Sequence, residues 1–146
     1  MGAHHVVCIG IDDYSGPSSL NGCAADGEAG SGVLVDVYGV DRARIQLLLN
    51  KAATRSRILS TIDALCTKAA KGDVIAIMAS CHGSYVRGGG MAVQRVLCPY
   101  DVETAHIELA EVGALTQRAT AGVKVYVILD TCFQGTITRS LYAENV

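Results

Sequence analysis

The chain has 146 residues, half of them apolar, with a formal net charge of −2 and six cysteines. That length suits one compact domain, residues 1–146, which can bury a core without disulfide or metal staples. The small net charge, with no run of one sign, excludes a phosphate-backbone or anionic-membrane footprint, and the short apolar runs and the N-terminus "MGAHHVVCIGIDD" lead us to expect neither a membrane span nor a signal peptide, hence a cytoplasmic protein.

The first apolar run, "HHVVCIGID", predicts a strand buried on both faces that ends near Gly10 and the pair Asp12, Asp13. From Asn21, "NGCAADGEAGSGVLVDVYGV" sets Val33, Leu34, Val37 and Tyr38 at helical spacing, with Gly39 placed to end the helix. "RIQLLLN" predicts a second strand. In "TRSRILSTIDALCTKAAKG" Ile58, Leu59, Ile62, Leu65 and Cys66 share one helix face, with Thr54 as cap and Gly72 as terminator. "DVIAIMAS" predicts a third buried strand running into "CHGSYVRGGG", whose glycines suggest a rim loop. After "VLCPYD", residues 107–119 are amphipathic, and "VKVYVILD" predicts a fourth strand. Strands alternating with helices on short connections predict an α/β fold: a doubly wound, mainly parallel sheet flanked by helices.

The fourth run continues as "DTCFQGTIT", so an apolar strand delivers Asp130, Thr131 and Cys132 to the rim where α/β enzymes keep reactive groups. If the third and fourth strands are neighbours, His82 and Cys132 leave that rim two residues beyond their strand ends. An imidazole beside a thiol stabilises the thiolate and can later protonate a leaving amine, which is what a cysteine nucleophile needs in acyl transfer. The other cysteines show no CxxC spacing; Cys8 and Cys66 fall inside apolar patterns and read as buried, reduced thiols. Cys81 raises a metal or redox reading, but only Cys81, His82 and Cys132 converge there, fewer than a metal site wants. His4, His5 and His106 have no such company and read as surface or strand-edge residues.

"SCHGS" followed by "DTCFQGT" resembles the histidine-glycine and Asp-x-Cys-x-x-Gly signatures of the caspase and metacaspase clan, and the interval of about fifty residues matches that clan. "IGIDDY", "LNGCAAD", "ATRSRIL" and "GDVIAIMAS" fall in metacaspase order, so the resemblance spans the large catalytic subunit. It implies a cysteine endopeptidase of the kind associated with programmed cell death, acting on polypeptide substrates. Carried over, Cys132 is the nucleophile, His82 the general acid/base, and the Gly83 and Cys132 N–H groups the oxyanion donors. Asp130 stands where metacaspases have an acid and caspases proper a glutamine, and Asp26 matches a second pocket acid. Two carboxylates in one pocket favour an arginine or lysine side chain and repel an acidic one.

The departures from the family also carry expectations. Cys81 replaces a glycine, and Phe133 and Gln134 replace small or polar residues after the nucleophile. Asp101 matches one of the acids by which some metacaspases bind calcium, but residues 84–100 hold none, so no cofactor is expected and calcium activation is doubtful. The family continues beyond this region into a small subunit, so a small subunit or C-terminal partner is expected to complete the fold. Two other readings compete. Asp12 and Asp13 resemble the acidic pair of receiver-type signalling modules, and a caspase-like fold can persist as a silent scaffold. The presence of both His82 and Cys132 favours an enzyme.

Overall fold

The structure, a computed structural model, describes residues 2–14, 18–87 and 93–132. Its elements run β1 (His4–Gly10), α1 (Cys23–Asp36), β2 (Ile45–Leu49), α2 (Arg55–Lys68), β3 (Val74–Ser80), β4 (Gly83–Arg87), β5 (Val93–Leu97), β6 (Ile107–Glu108), α3 (Leu109–Thr116) and β7 (Lys124–Asp130). The four predicted strands form one parallel sheet in the order β2-β1-β3-β7. Parallel strands need covered faces, which is why their sequences are apolar runs rather than alternating ones. Val6 and Cys8 of β1 pack beneath α1 with Leu34 and Met78. Val7 and Ile9 point the other way, into the larger core made with Ile58 and Ile62 of α2 and Val112 of α3. Among the described residues no helix is long and apolar enough to cross a membrane.

Helix α1 forms where expected, but only part of its predicted face is buried. Of the residues that carried the helical spacing, Leu34 packs with Val6 and Cys8, whereas Val33 is exposed and Val37 and Tyr38 lie exposed beyond the helix end; Gly27 and Ser31 are buried against the sheet. Small residues win that face because the helix lies close: a Cβ on Gly10 of β1 would run into the Cys23 carbonyl and stand 2.8 Å from the Ala24 Cα. Its end follows the sequence reading. Gly39 takes φ +66 and its N–H donates to Val35 O, the bond of an αL stop, while the Val40 N–H reaches back to Leu34 O.

Thr54 caps α2 as predicted, its hydroxyl accepting the Arg57 N–H, but Gly72 does not terminate the helix. The helix ends at Lys68, and Gly72 sits in the following turn with φ +95. Residues 107 and 108 form a short strand before α3, which starts in a capping box between Glu108 and Glu111.

The largest correction concerns the expected rim loop after β3. Residues 83–87 and 93–97 are an antiparallel pair, β4 and β5, extended by β6 into a second three-stranded sheet. The glycines dominated the reading, whereas "SYVR" and "VQRVL" on either side of them are strand-forming runs. Residues 88–92, which include those glycines, lie outside the described residues.

Candidate active site

The rim of the parallel sheet is set by register. Gly10, Ser80 and Asp130 stand level on β1, β3 and β7, and β3 and β7 are adjacent. His82 and Cys132 each follow by two residues, so both leave the sheet at the same rim. Cys132 is exposed and His82 is buried.

His82 is held on every side that the described residues supply. Its Nε2 lies 2.6 Å from the Ser18 carbonyl oxygen, which can only accept, so that nitrogen is the donor. Its ring leans on the Tyr14 ring, with centroids 4.7 Å apart and planes at 48°. Its carbonyl accepts the Cys98 N–H at 2.9 Å. The Tyr14 hydroxyl accepts the His82 N–H at 3.3 Å and donates to the Cys98 carbonyl at 2.6 Å. Burial, reinforced by Cys81 and Cys98 nearby, pushes the Tyr14 phenol far up, so it stays protonated and remains a donor.

The residue after the histidine gains from the same pairing. Gly83 stands opposite Leu97, which places His82 opposite Cys98 as a hydrogen-bonded pair and makes Gly83 and Leu97 the non-bonded pair that follows. The Gly83 N–H therefore points away from β5, off the ladder.

The two candidate pocket acids meet. Asp26, in the first turn of α1, and Asp130, at the end of β7, line one cavity of about 130 Å³ with Gly27, Met78, Ser80 and Ile128. The Ser80 hydroxyl donates to Asp26 Oδ2 at 3.3 Å. That floor hydroxyl was not singled out in the sequence, and neither were Tyr14 and Ser18. An aromatic in the loop after the first strand was a signal for Tyr14; a backbone carbonyl such as that of Ser18 leaves none.

Other candidates resolve differently. Asp12 is a cap: its carboxylate accepts the Cys23 and Ala24 N–H groups at 2.8 and 3.0 Å at the start of α1, a sufficient reason for an acid there without phosphate chemistry. Cys81 turns into the core beside Tyr14 and Cys98, and burial raises its thiol pKa well above the usual range. Burial likewise raises Cys8, Cys23 and Cys66. His5 bonds Asp73 at 2.9 Å at the other end of the sheet, and His106 sits 4.0 Å from Glu108.

Asp101 Oδ1 accepts the Arg55 N–H at 2.8 Å. Among the described residues no three His, Cys, Asp or Glu side chains group closely enough to hold a metal ion. Phe133 and Gln134, the departures after Cys132, lie outside the described residues.

Residues 4–140 match the family described as metacaspase, peptidase C14 domain. Among solved structures, the chain is similar to protein GSU0716 from Geobacter sulfurreducens, with a TM-score of 0.79 and 25% identity, over 97% of this chain and 55% of that one. This chain thus spans little more than half the length of that protein. No curated protein sequence matches it.

Proposed function

The chain belongs to the metacaspase family of cysteine peptidases, and on that footing we propose that it is a cysteine endopeptidase in which Cys132 and His82 form the dyad and the bond cleaved follows arginine or lysine. The observation that carries this reading is the level register of Ser80 and Asp130, which sends His82 and Cys132 out of adjacent parallel strands together. With Nε2–H held by the Ser18 carbonyl, Nδ1 is the atom left to take the Cys132 thiol proton. The thiolate attacks the scissile carbonyl, and the Gly83 and Cys132 N–H groups receive the developing oxyanion. The Nδ1 proton then passes to the leaving amine, and water, deprotonated by the same nitrogen, releases the acyl group from Cys132.

Asp26 and Asp130 support the choice of a basic residue before the cleaved bond. A guanidinium can bond both carboxylates, an ammonium acts as a point charge between them, and a substrate carboxylate would be a third like charge. The Ser80 hydroxyl at the floor of the cavity orients Asp26 toward the incoming cation.

The reading includes a small subunit or C-terminal polypeptide that covers β7. On its outer side β7 has no neighbouring strand among the described residues, and Tyr126 and Ile128 are more than half exposed on it. Such an edge is a template for another strand.

Fluorogenic peptides that differ only in arginine, lysine or aspartate at the scissile position test the proposal, with Cys132→Ala as control. We expect arginine to be cleaved at least as fast as lysine, and aspartate not at all. Cleavage after aspartate overturns the pocket assignment, and cleavage surviving Cys132→Ala overturns the dyad.

A further inference from the structure

A hydroxyl stands where the sheet should have a backbone bond. His82 and Cys98 face each other across the seam between the β3 exit and β5, in register with the Gly83 and Leu97 pair beside them. A bonded antiparallel pair exchanges two N–H to carbonyl bonds. Here one is present, from the Cys98 N–H to the His82 carbonyl at 2.9 Å. The other is replaced by the Tyr14 hydroxyl, which takes the His82 N–H at 3.3 Å and hands its own proton to the Cys98 carbonyl at 2.6 Å. One side chain thereby spaces the two backbones apart, while its ring supports the imidazole at 4.7 Å. Tyr14 is itself anchored, since its N–H donates to the Asp12 carbonyl at 3.0 Å and its carbonyl accepts the Ser19 hydroxyl at 2.6 Å.

We propose that Tyr14 is the positioning residue of His82: a phenol inserted into the β3–β5 seam that sets the depth and plane of the imidazole and the direction of the Gly83 N–H. Without the hydroxyl, His82 N–H and Cys98 C=O lose their bridge, and the seam either stays open or closes toward a direct bond. Closing the seam draws His82 inward by roughly an ångström, a displacement that costs on the order of a hundredfold when it misaligns reacting groups. Tyr14 is only 6% exposed, so its effect should fall on the chemical step rather than on affinity. The inference rests on the Cys132–His82 reading.

Tyr14→Phe keeps the ring and deletes the bridge. With an arginine peptide we expect kcat to fall about tenfold to a hundredfold with KM changed by less than about threefold. Tyr14 replaced site-specifically by 3-fluorotyrosine, which keeps both shape and hydroxyl, should stay within about twofold of the parent. A second readout needs no hydrolysis: in protein carrying Cys132→Ala and labelled at histidine, Tyr14→Phe should shift the His82 ring and backbone N–H resonances, and 3-fluorotyrosine should perturb the same backbone N–H. A folded Tyr14→Phe protein with unchanged kcat and unchanged His82 resonances overturns the proposal. If Tyr14→Phe fails to fold, an unperturbed His82 N–H in the 3-fluorotyrosine protein overturns it. A parent chain inactive on every peptide would instead count against the dyad, while the resonances still decide the role of Tyr14.

Discussion

The two strand exits that bear His82 and Cys132 leave the sheet level with each other but from strands of opposite character. β3 is central, with β1 on one side and β7 on the other, and Ile75 and Ile77 are within 1% of complete burial. Beyond it, His82 is buried and bonded through ring, N–H and carbonyl. β7 is the last strand of the described sheet, and Tyr126, Val127 and Ile128 are each more than 40% exposed. Beyond it, Cys132 is exposed. The difference teaches how labour is divided at a two-residue site. His82, the proposed acid/base partner, derives its position from packing, so changing it should cost stability as well as chemistry. Cys132, the proposed nucleophile, follows a strand that contributes little core, so changing it should cost chemistry alone.

The sharpest way to break that comparison is to delete each group in turn. Cys132→Ala should abolish hydrolysis, a loss of a thousandfold or more of order, while leaving stability within about 0.5 kcal/mol of the parent. His82→Ala should lose about a hundredfold to ten-thousandfold in rate and also about 1–3 kcal/mol of stability, because the Ser18 and Tyr14 contacts lose their partner. Peptide hydrolysis together with urea unfolding of both variants checks this. Equal destabilisation by the two would show that the exits are packed alike.

The pocket acids should come next in size. Asp130→Asn removes one carboxylate facing the bound cation without touching the dyad, so kcat/KM on arginine peptides should fall on the order of tenfold to a thousandfold. The rate at which iodoacetamide alkylates Cys132 should be unchanged. If both rates fall together, Asp130 supports the β7 exit rather than the pocket. The same alkylation, mapped by mass spectrometry near neutral pH, should label Cys132 ahead of Cys8, Cys23, Cys66 and Cys81, whose thiols burial holds in the protonated form.

How much of this was legible differs between the two exits. The four sheet strands were readable because a parallel strand is a continuous apolar run, and the level of His82 with Cys132 followed from counting residues beyond those runs. That Asp26 and Asp130 would line one cavity was suggested only by motif likeness, since they are 104 residues apart in a chain that periodicity cannot fold onto itself. What surrounds His82 was hidden for two reasons. Glycines at 88–90 masked two strand-forming runs, so the hairpin that brings Cys98 beside His82 was read as loop. The Ser18 partner is a backbone carbonyl, which every residue possesses. Helix α1 misled in part: Leu34 packs inward as its spacing suggests, but Val33, Val37 and Tyr38 are exposed, and close approach to β1 at Gly10 favours small residues such as Gly27 beneath the helix.

The strands themselves offer a third test. Ile77 of β3 and Ile128 of β7 are the same side chain in neighbouring parallel strands, one register step apart, 1% and 52% exposed. Ile77→Ala should cost about 2–5 kcal/mol by transfer loss and cavity formation, whereas Ile128→Ala should cost about 1 kcal/mol or less. Urea denaturation with unchanged m-values reads both. A large cost at Ile128 would mean that β7 is covered in solution.

The smallest expected effect lies at the end of the sheet opposite the rim, and it separates that end from the site. Asp73, just before β3, accepts the Ala70 N–H at 2.9 Å, His5 Nε2 at 2.9 Å and the Ala3 N–H at 2.7 Å, tying β1 to β3 where the two strands start. These bonds favour the carboxylate, led by the Ala70 N–H and then by His5, and lower its pKa from an ordinary 3.8 to about 2. A group whose pKa is lower in the folded than in the unfolded chain adds stability above its unfolded value and loses it as protons bind the native form. The contribution of Asp73 is therefore present above about pH 4 and disappears as the pH falls toward 2. Asp73→Asn cannot titrate, so its melting temperature should lie below that of the parent near neutral pH, and the gap should narrow between pH 4 and 2. Because the site lies at the other end of the strands, kcat on arginine peptides at neutral pH should match the parent. A gap independent of pH would show that the Asp73 bonds do not depend on its charge, and a lower kcat would show that the two ends of β3 are not separable.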